Sequence, residues 1–222
     1  MAVTATAIAD TRYSFVGQYL EASTRFVRRL RTIECSKSIA SSQARIVEHR
    51  GLVCAVVMQC TAALESETFE VCVHGPGSYL GSNGIDRKAQ EFLAPLVDVV
   101  DKRDVIRRFE LILHLLRKPT LPRGREPVQS AKLVVGLRNE LVHYKSQWGQ
   151  DMTRDSLLKA LERRKHRPPP HTSVGMNFYP HRCLSADCAE WALRSVVAYL
   201  EAFYEALGVP SRFKTYRRRL EP

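Results

Sequence analysis

The chain has 222 residues, 45% of them hydrophobic and 26% charged, which is ordinary for a soluble globular protein and enough for one domain with a real core. Lys and Arg outnumber Asp and Glu by 34 to 23, a net charge of +11 with an isoelectric point near 9.6; a polyanionic partner such as RNA is favoured. Internal repeats and low-complexity segments are absent, and Met1 to Asp10 lacks the basic start of a secretory signal. The longest stretch free of Asp, Glu, Lys, Arg and His, Gly51 to Leu64, has 14 residues against the ~20 of a membrane span, so it predicts a buried core helix and a cytoplasmic protein without a membrane partner.

Thr11 to about Cys35 predicts the first helix, with Phe15, Tyr19, Phe26 and Leu30 at helical spacing. Ser42 to about Val73 predicts a long apolar helix at the centre of the fold, stopped by His74-Gly75-Pro76-Gly77. Gly75, Gly77, Gly81 and Gly84 belong to turns, because no Gly-Lys-Ser/Thr follows them and no strand precedes them. Ile85 to Ala94 is a short helix. Pro95 opens another that runs to about Leu116, and Lys118 to Arg125 connects it to the next.

Glu126 to Trp148 predicts the helix of greatest chemical interest. At about 100° per residue, Val134, Leu137, Leu141, Tyr144 and Trp148 share one face. Lys132, Gly136, Asn139 and His143 fall on the opposite strip, with Asn139 and His143 neighbours at i, i+4. Arg138 lies inside the apolar arc, where a guanidinium needs a partner or a route to water. Arg138 and His143 point roughly 140° apart on an ideal helix, so a second copy across a two-fold axis brings them together more readily than one chain does. His exchanges a proton near neutral pH, and Arg offers a fixed cationic fork to phosphate oxygens.

Met152 to His166 predicts another helix, ending in Arg163-Arg164-Lys165-His166-Arg167 and broken by Pro168-Pro169-Pro170. His171 to Leu184 is an irregular loop whose Phe178 and Tyr179 either stack on unpaired bases or plug the bundle end. Ser185 caps a last helix that Gly208 stops after Leu207. Residues 209 to 222 form a basic tail, of which Lys214 to Arg219 is expected to be mobile. Strand-like alternation is not sustained anywhere, so the fold class is all-α: one domain, with a core from 10 to 208, built as a bundle of about five to six helices. Six cysteines occur without a CxxC pair, and His171, His181, Cys183 and Cys188 match no standard zinc spacing. They read as structural thiols and imidazoles, and no metal or cofactor is indicated.

The run Arg138-Asn139-Glu140-Leu141-Val142-His143 resembles the Arg-x4-6-His signature of the HEPN superfamily, with Asn139 in the polar position that often follows the Arg. The apolar run Leu133 to Leu137 and the aromatic and basic Tyr144 to Trp148 fit the flanks of that signature. The resemblance covers about a dozen residues tightly and most of the chain loosely. It implies a helical bundle, usually a homodimer, and often a metal-independent endoribonuclease in toxin or phage-defence systems. Carried over, Arg138 and His143 are the catalytic pair and Asn139 the orienting polar group; Lys145, Arg163, Arg164, Lys165 and Arg167 are the expected RNA contacts. An antitoxin or a nucleotidyltransferase is the expected protein partner; a separate competing expectation is a small catalytic helical protein of another kind, for instance a nucleotidyltransferase partner that itself becomes modified, with Tyr144 the candidate acceptor. The competing expectations are a non-catalytic HEPN-like module that binds a nucleotide, RNA or a protein, and a plain helical scaffold with Arg138 in a structural salt bridge.

Overall fold

The computed structural model describes residues 14–36, 39, 42–73, 87–144 and 156–219, with the backbone alone at 73, 87 and 217–219. All regular structure among these residues is helical: α1 (Val16–Cys35), α2 (Gln43–Val73), α3 (Arg87–Leu93), α4 (Val97–Asp101), α5 (Val105–Leu115), α6 (Val128–Val142), α7 (Ser156–Glu162), α8 (Ala186–Leu207) and α9 (Lys214–Arg219). A 3-10 turn, Ala94–Leu96, joins α3 to α4. Helices α2 and α8 form the centre. The long α2 touches α1, α5, α6 and α8, so apolar residues are required on several of its faces. Val53, Val57, Cys60 and Leu64 are fully buried there.

By length and composition α2 is able to cross a membrane, yet half of its most apolar window is buried inside the bundle. Its polar residues are also partnered within the protein. Glu67, fully buried, accepts hydrogen bonds from the Tyr204 hydroxyl and from Arg212.

The expected last helix is present with its expected ends. Ser185 Oγ accepts the Cys188 N–H at 3.2 Å, and Gly208 closes α8 in the left-handed region at φ 79°, where a Cβ is disfavoured. Phe109 of α5 packs edge-on against Tyr199 and Phe203 of α8, with ring centroids 5.1 and 4.7 Å apart.

Two expectations need correction. The helix expected from Pro95 to Leu116 is broken after Asp101, because Asp104 adopts an extended backbone and its side chain takes the Arg107 N–H, restarting the helix as α5. This break and α9 raise the number of helices above the expected five to six. The basic tail also begins as packed structure, and the stretch from Lys214 expected to be mobile is helical and tied down through Tyr216. Phe213 is 1% exposed, Arg212 pairs with Glu67 and with Glu70 at 2.7 Å, and Tyr216 donates to the Gly17 carbonyl at 3.3 Å.

Candidate active site

Helix α6 buries Val128, Ala131, Val134 and Leu137 against α2 and α8, the face the periodicity predicts. It stops at Val142, six residues before the expected Trp148. His143 is the C-cap at φ −105°, ψ 26°. The run Val142-His143-Tyr144 has weaker helix propensity than the Leu-Arg-Asn-Glu-Leu before it, which accounts for the stop. Residues 145–155, with Lys145, Trp148 and the expected helix start at Met152, lie outside the described residues.

The His143 N–H still bonds the Asn139 carbonyl at 2.9 Å. His143 therefore stays on the helical track, and its angular separation from Arg138 persists. Both His143 and Asn139 are exposed. Arg138 resolves its position in the apolar arc by reaching sideways: Nη2 donates to Glu65 Oε1 of α2 at 2.8 Å, and Nη1 donates to Asn139 Oδ1 at 2.9 Å. Its side chain keeps 28% exposure, and that of Glu65 keeps 38%. Within one chain, then, the Arg138 and Asn139 side chains meet, while His143 is joined to Asn139 through the backbone. Asn139 orients the guanidinium rather than an imidazole. A cleft of about 540 Å³ beside Glu65 is lined by Phe15, Phe69, Glu70, Asp101 and Arg108, and the exposed apolar residues Phe15, Phe69, Val142 and Tyr144 belong to this part of the surface and the end of α6.

The polar strip of α6 also receives a neighbour. A Cβ added at Gly136 would stand 2.9 Å from Leu157 Cδ1, so the glycine permits α7 to approach the strip that carries Asn139 and His143. Helix α7 leads directly into the basic run. There Arg163, Lys165 and Arg167 are exposed. Arg164 departs from the expected phosphate role: it pairs with Glu126 at 2.6 Å, and its guanidinium sits 5.6 Å from the Trp191 ring centre. Tyr179 is 3% exposed and packs 6.0 Å from Tyr144. It plugs the bundle end, and Phe178, half-buried, packs against the same core.

The expectation of structural thiols fits the geometry. Cys183 and Cys188 are both fully buried, and the contact from Cys183, with burial, pushes the Cys188 thiol far above its ordinary range. Among the described residues no group of three His, Cys, Asp or Glu side chains is placed to hold a metal ion.

Sequence reasoning missed Glu65, the partner of Arg138, 73 residues away. The available signal was its place as the first charge after the uncharged run of α2. It also missed a histidine cluster around Glu34 and Arg50, for which spacing gave no signal. No protein-family model matches the chain, and comparisons with curated proteins and with solved structures gave no match.

Proposed function

We propose that this chain is a metal-independent endoribonuclease of HEPN type, cytoplasmic and acting in a toxin or phage-defence role. Its site is completed by a second copy, so that Arg138 of one subunit works with His143 of the other. The observation that carries the reading is the end of α6: an arginine oriented by Asn139, a solvent-exposed histidine five residues on, and exposed Val142 and Tyr144 beside them as dimer contacts. Arg163, Lys165 and Arg167 supply cations for the RNA backbone.

In this reaction the ribose 2′-oxygen attacks the adjacent phosphorus and the bond from phosphorus to the 5′-oxygen breaks. His143 takes the 2′-hydroxyl proton. The imidazolium of the second subunit's His143 returns a proton to the 5′-oxygen. Arg138 stabilises the charge that grows on the non-bridging oxygens. The products are a 2′,3′-cyclic phosphate and a 5′-hydroxyl.

The test is cleavage of single-stranded RNA in chelator, beside the same oligonucleotide carrying 2′-deoxy substitutions. Wild type cleaves the first alone, and His143→Ala, still folded and dimeric, cleaves neither. Cleavage that survives in His143→Ala or that requires added magnesium defeats the reading.

One observation favours the second reading, a non-catalytic module that binds RNA, a nucleotide or a protein such as an antitoxin or nucleotidyltransferase. Glu65 already neutralises the Arg138 guanidinium in the single chain. That reading expects RNA binding without turnover in wild type.

A further inference from the structure

We propose that residues 166–184 form an acid-released latch: with its histidines neutral the segment closes over the bundle end and holds Tyr179 beneath Tyr144, and protonation opens it. The inference stands apart from the ribonuclease reading. It follows from the placement of His166, His171 and His181, three of the chain's seven histidines, on this one connection between α7 and α8.

His171 packs edge-on against His49, with ring centroids 5.1 Å apart and planes at 78°. His49 is fully buried, and its Nε2 donates to Glu34 Oε1 at 2.8 Å. The same Glu34 oxygen accepts the Ala186 N–H at 2.7 Å. Both ring nitrogens of His171 and Nδ1 of His49 are shielded from solvent and have no hydrogen-bond partner among the described residues. A proton added to His171 gains no acceptor and meets Arg50, His49 and His181, with Glu34 the sole opposing charge.

His181 makes the dependence explicit. Its Nδ1 accepts from Arg50 Nη2 at 2.9 Å, a bond that needs the nitrogen lone pair and that protonation removes. His166 lies 5.2 Å from the Trp191 ring, its Nε2 also shielded and unpartnered. The acidic group facing it is Asp187, already engaged by Arg31 and by the Arg167 N–H at 3.0 Å.

The energetics run the same way at all three rings. Burial, then His49 and Arg50, depresses His171 to about 4. Burial depresses His181, and Arg50 adds to it. Burial depresses His166 against the pull of Asp187, with Arg164 adding. A folded pKa below the unfolded value of about 6.5 means that the open form binds more protons between the two values. The closed latch is therefore fully favoured above pH ~6.5 and loses that advantage as pH falls toward 4. Taken at full strength, His171 alone raises the open-to-closed ratio about 30-fold between pH 7.5 and 5; solvent screening at a half-buried ring reduces this, and the other two rings add to it.

Opening is local because the segment is lightly built. From 169 to 176 its backbone bonds are turn-like, Thr172 to Pro169 and Met176 to Ser173, both 3.1 Å, and Val174 and Met176 are exposed; the single π-helical turn Phe178–Arg182 that follows is the part that seats Tyr179 in the core.

Hydrogen exchange of the full chain at pH 7.5, 6 and 5, corrected for the intrinsic rate at each pH, tests the latch. Peptides from 166–184 should lose about tenfold in protection by pH 5 while α2 and α8 change less than twofold. The triple variant His166→Phe, His171→Phe, His181→Gln keeps the ring contacts and an acceptor for Arg50 but does not titrate, and its profile should be flat. An unchanged pH response in that variant overturns the proposal, as does loss of protection in α2 and α8 in step with the segment. Should the triple variant fail to fold, His181→Gln alone must cut the pH response at least twofold, and an undiminished response overturns the proposal equally.

Discussion

Removing the charge of Glu65 separates a working Arg138 from a structural one. The pair is partly exposed on both sides, and such pairs contribute about 0.3–1 kcal/mol once solvent screening is included. In Glu65→Gln the amide still fits beside the guanidinium, so the fold loses no more than that. The guanidinium is freed for a phosphate by the same amount, about two- to fivefold in affinity. Fluorescence anisotropy with labelled single-stranded RNA at fixed salt reads this directly, across wild type, Glu65→Gln, Arg138→Ala and the double variant. Glu65→Gln should tighten binding, Arg138→Ala should weaken it, and the double variant should match Arg138→Ala, because the carboxylate has nothing left to compete for. Arg138→Ala should melt within about 4 °C of wild type. A melting point lower by 10 °C or more, together with unaltered RNA affinity in Glu65→Gln, refutes the argument and leaves Arg138 as a strut between α2 and α6.

The buried network two residues further along α2, on another face of the helix, should behave in the opposite way. Arg212→Ala leaves Glu67 fully buried without its cation, a loss of about 3–5 kcal/mol that lowers the melting temperature by about 10 °C, and Glu67→Gln added to it should recover a measurable part of that loss. Ser185→Ala removes the cap of α8 and should lower stability by about 1 kcal/mol in urea unfolding at unchanged m-value; a loss under 0.3 kcal/mol contradicts the capping role.

Periodicity and caps make most helices legible in the sequence alone. The α2 and α8 ends fall within a residue of Ser42–Val73 and Ser185–Leu207, because apolar stripes, Ser185 and Gly208 are local signals. The errors cluster where a side chain acts beyond its own helix. Asp104 breaks a continuous apolar pattern by capping a new helix. Arg212 looks like part of a basic tail until Glu67 and Glu70, more than 140 residues away, are seen to hold it.

The candidate site divides along the same line. That Arg138, Asn139 and His143 share one end of one helix is a matter of 100° steps and needed only the sequence. That Asn139 turns toward Arg138, and that Arg138 turns toward α2, depends on which residue of α2 packs at that height, which a single sequence does not encode in any local pattern. This matters for the chemistry. A guanidinium bridged by Glu65 and Asn139 is held in place but neutralised, so a phosphate that takes it must displace or share the carboxylate. Under the proposed ribonuclease reading, such a site would favour a dianionic, charge-accumulating phosphorane over a singly charged diester in the ground state, since only the former repays the loss of Glu65 in full. If so, Glu65→Gln should tighten ground-state RNA binding more than it raises the rate of the bound complex. A variant that gains rate and affinity by the same factor would place Glu65 outside the reacting centre.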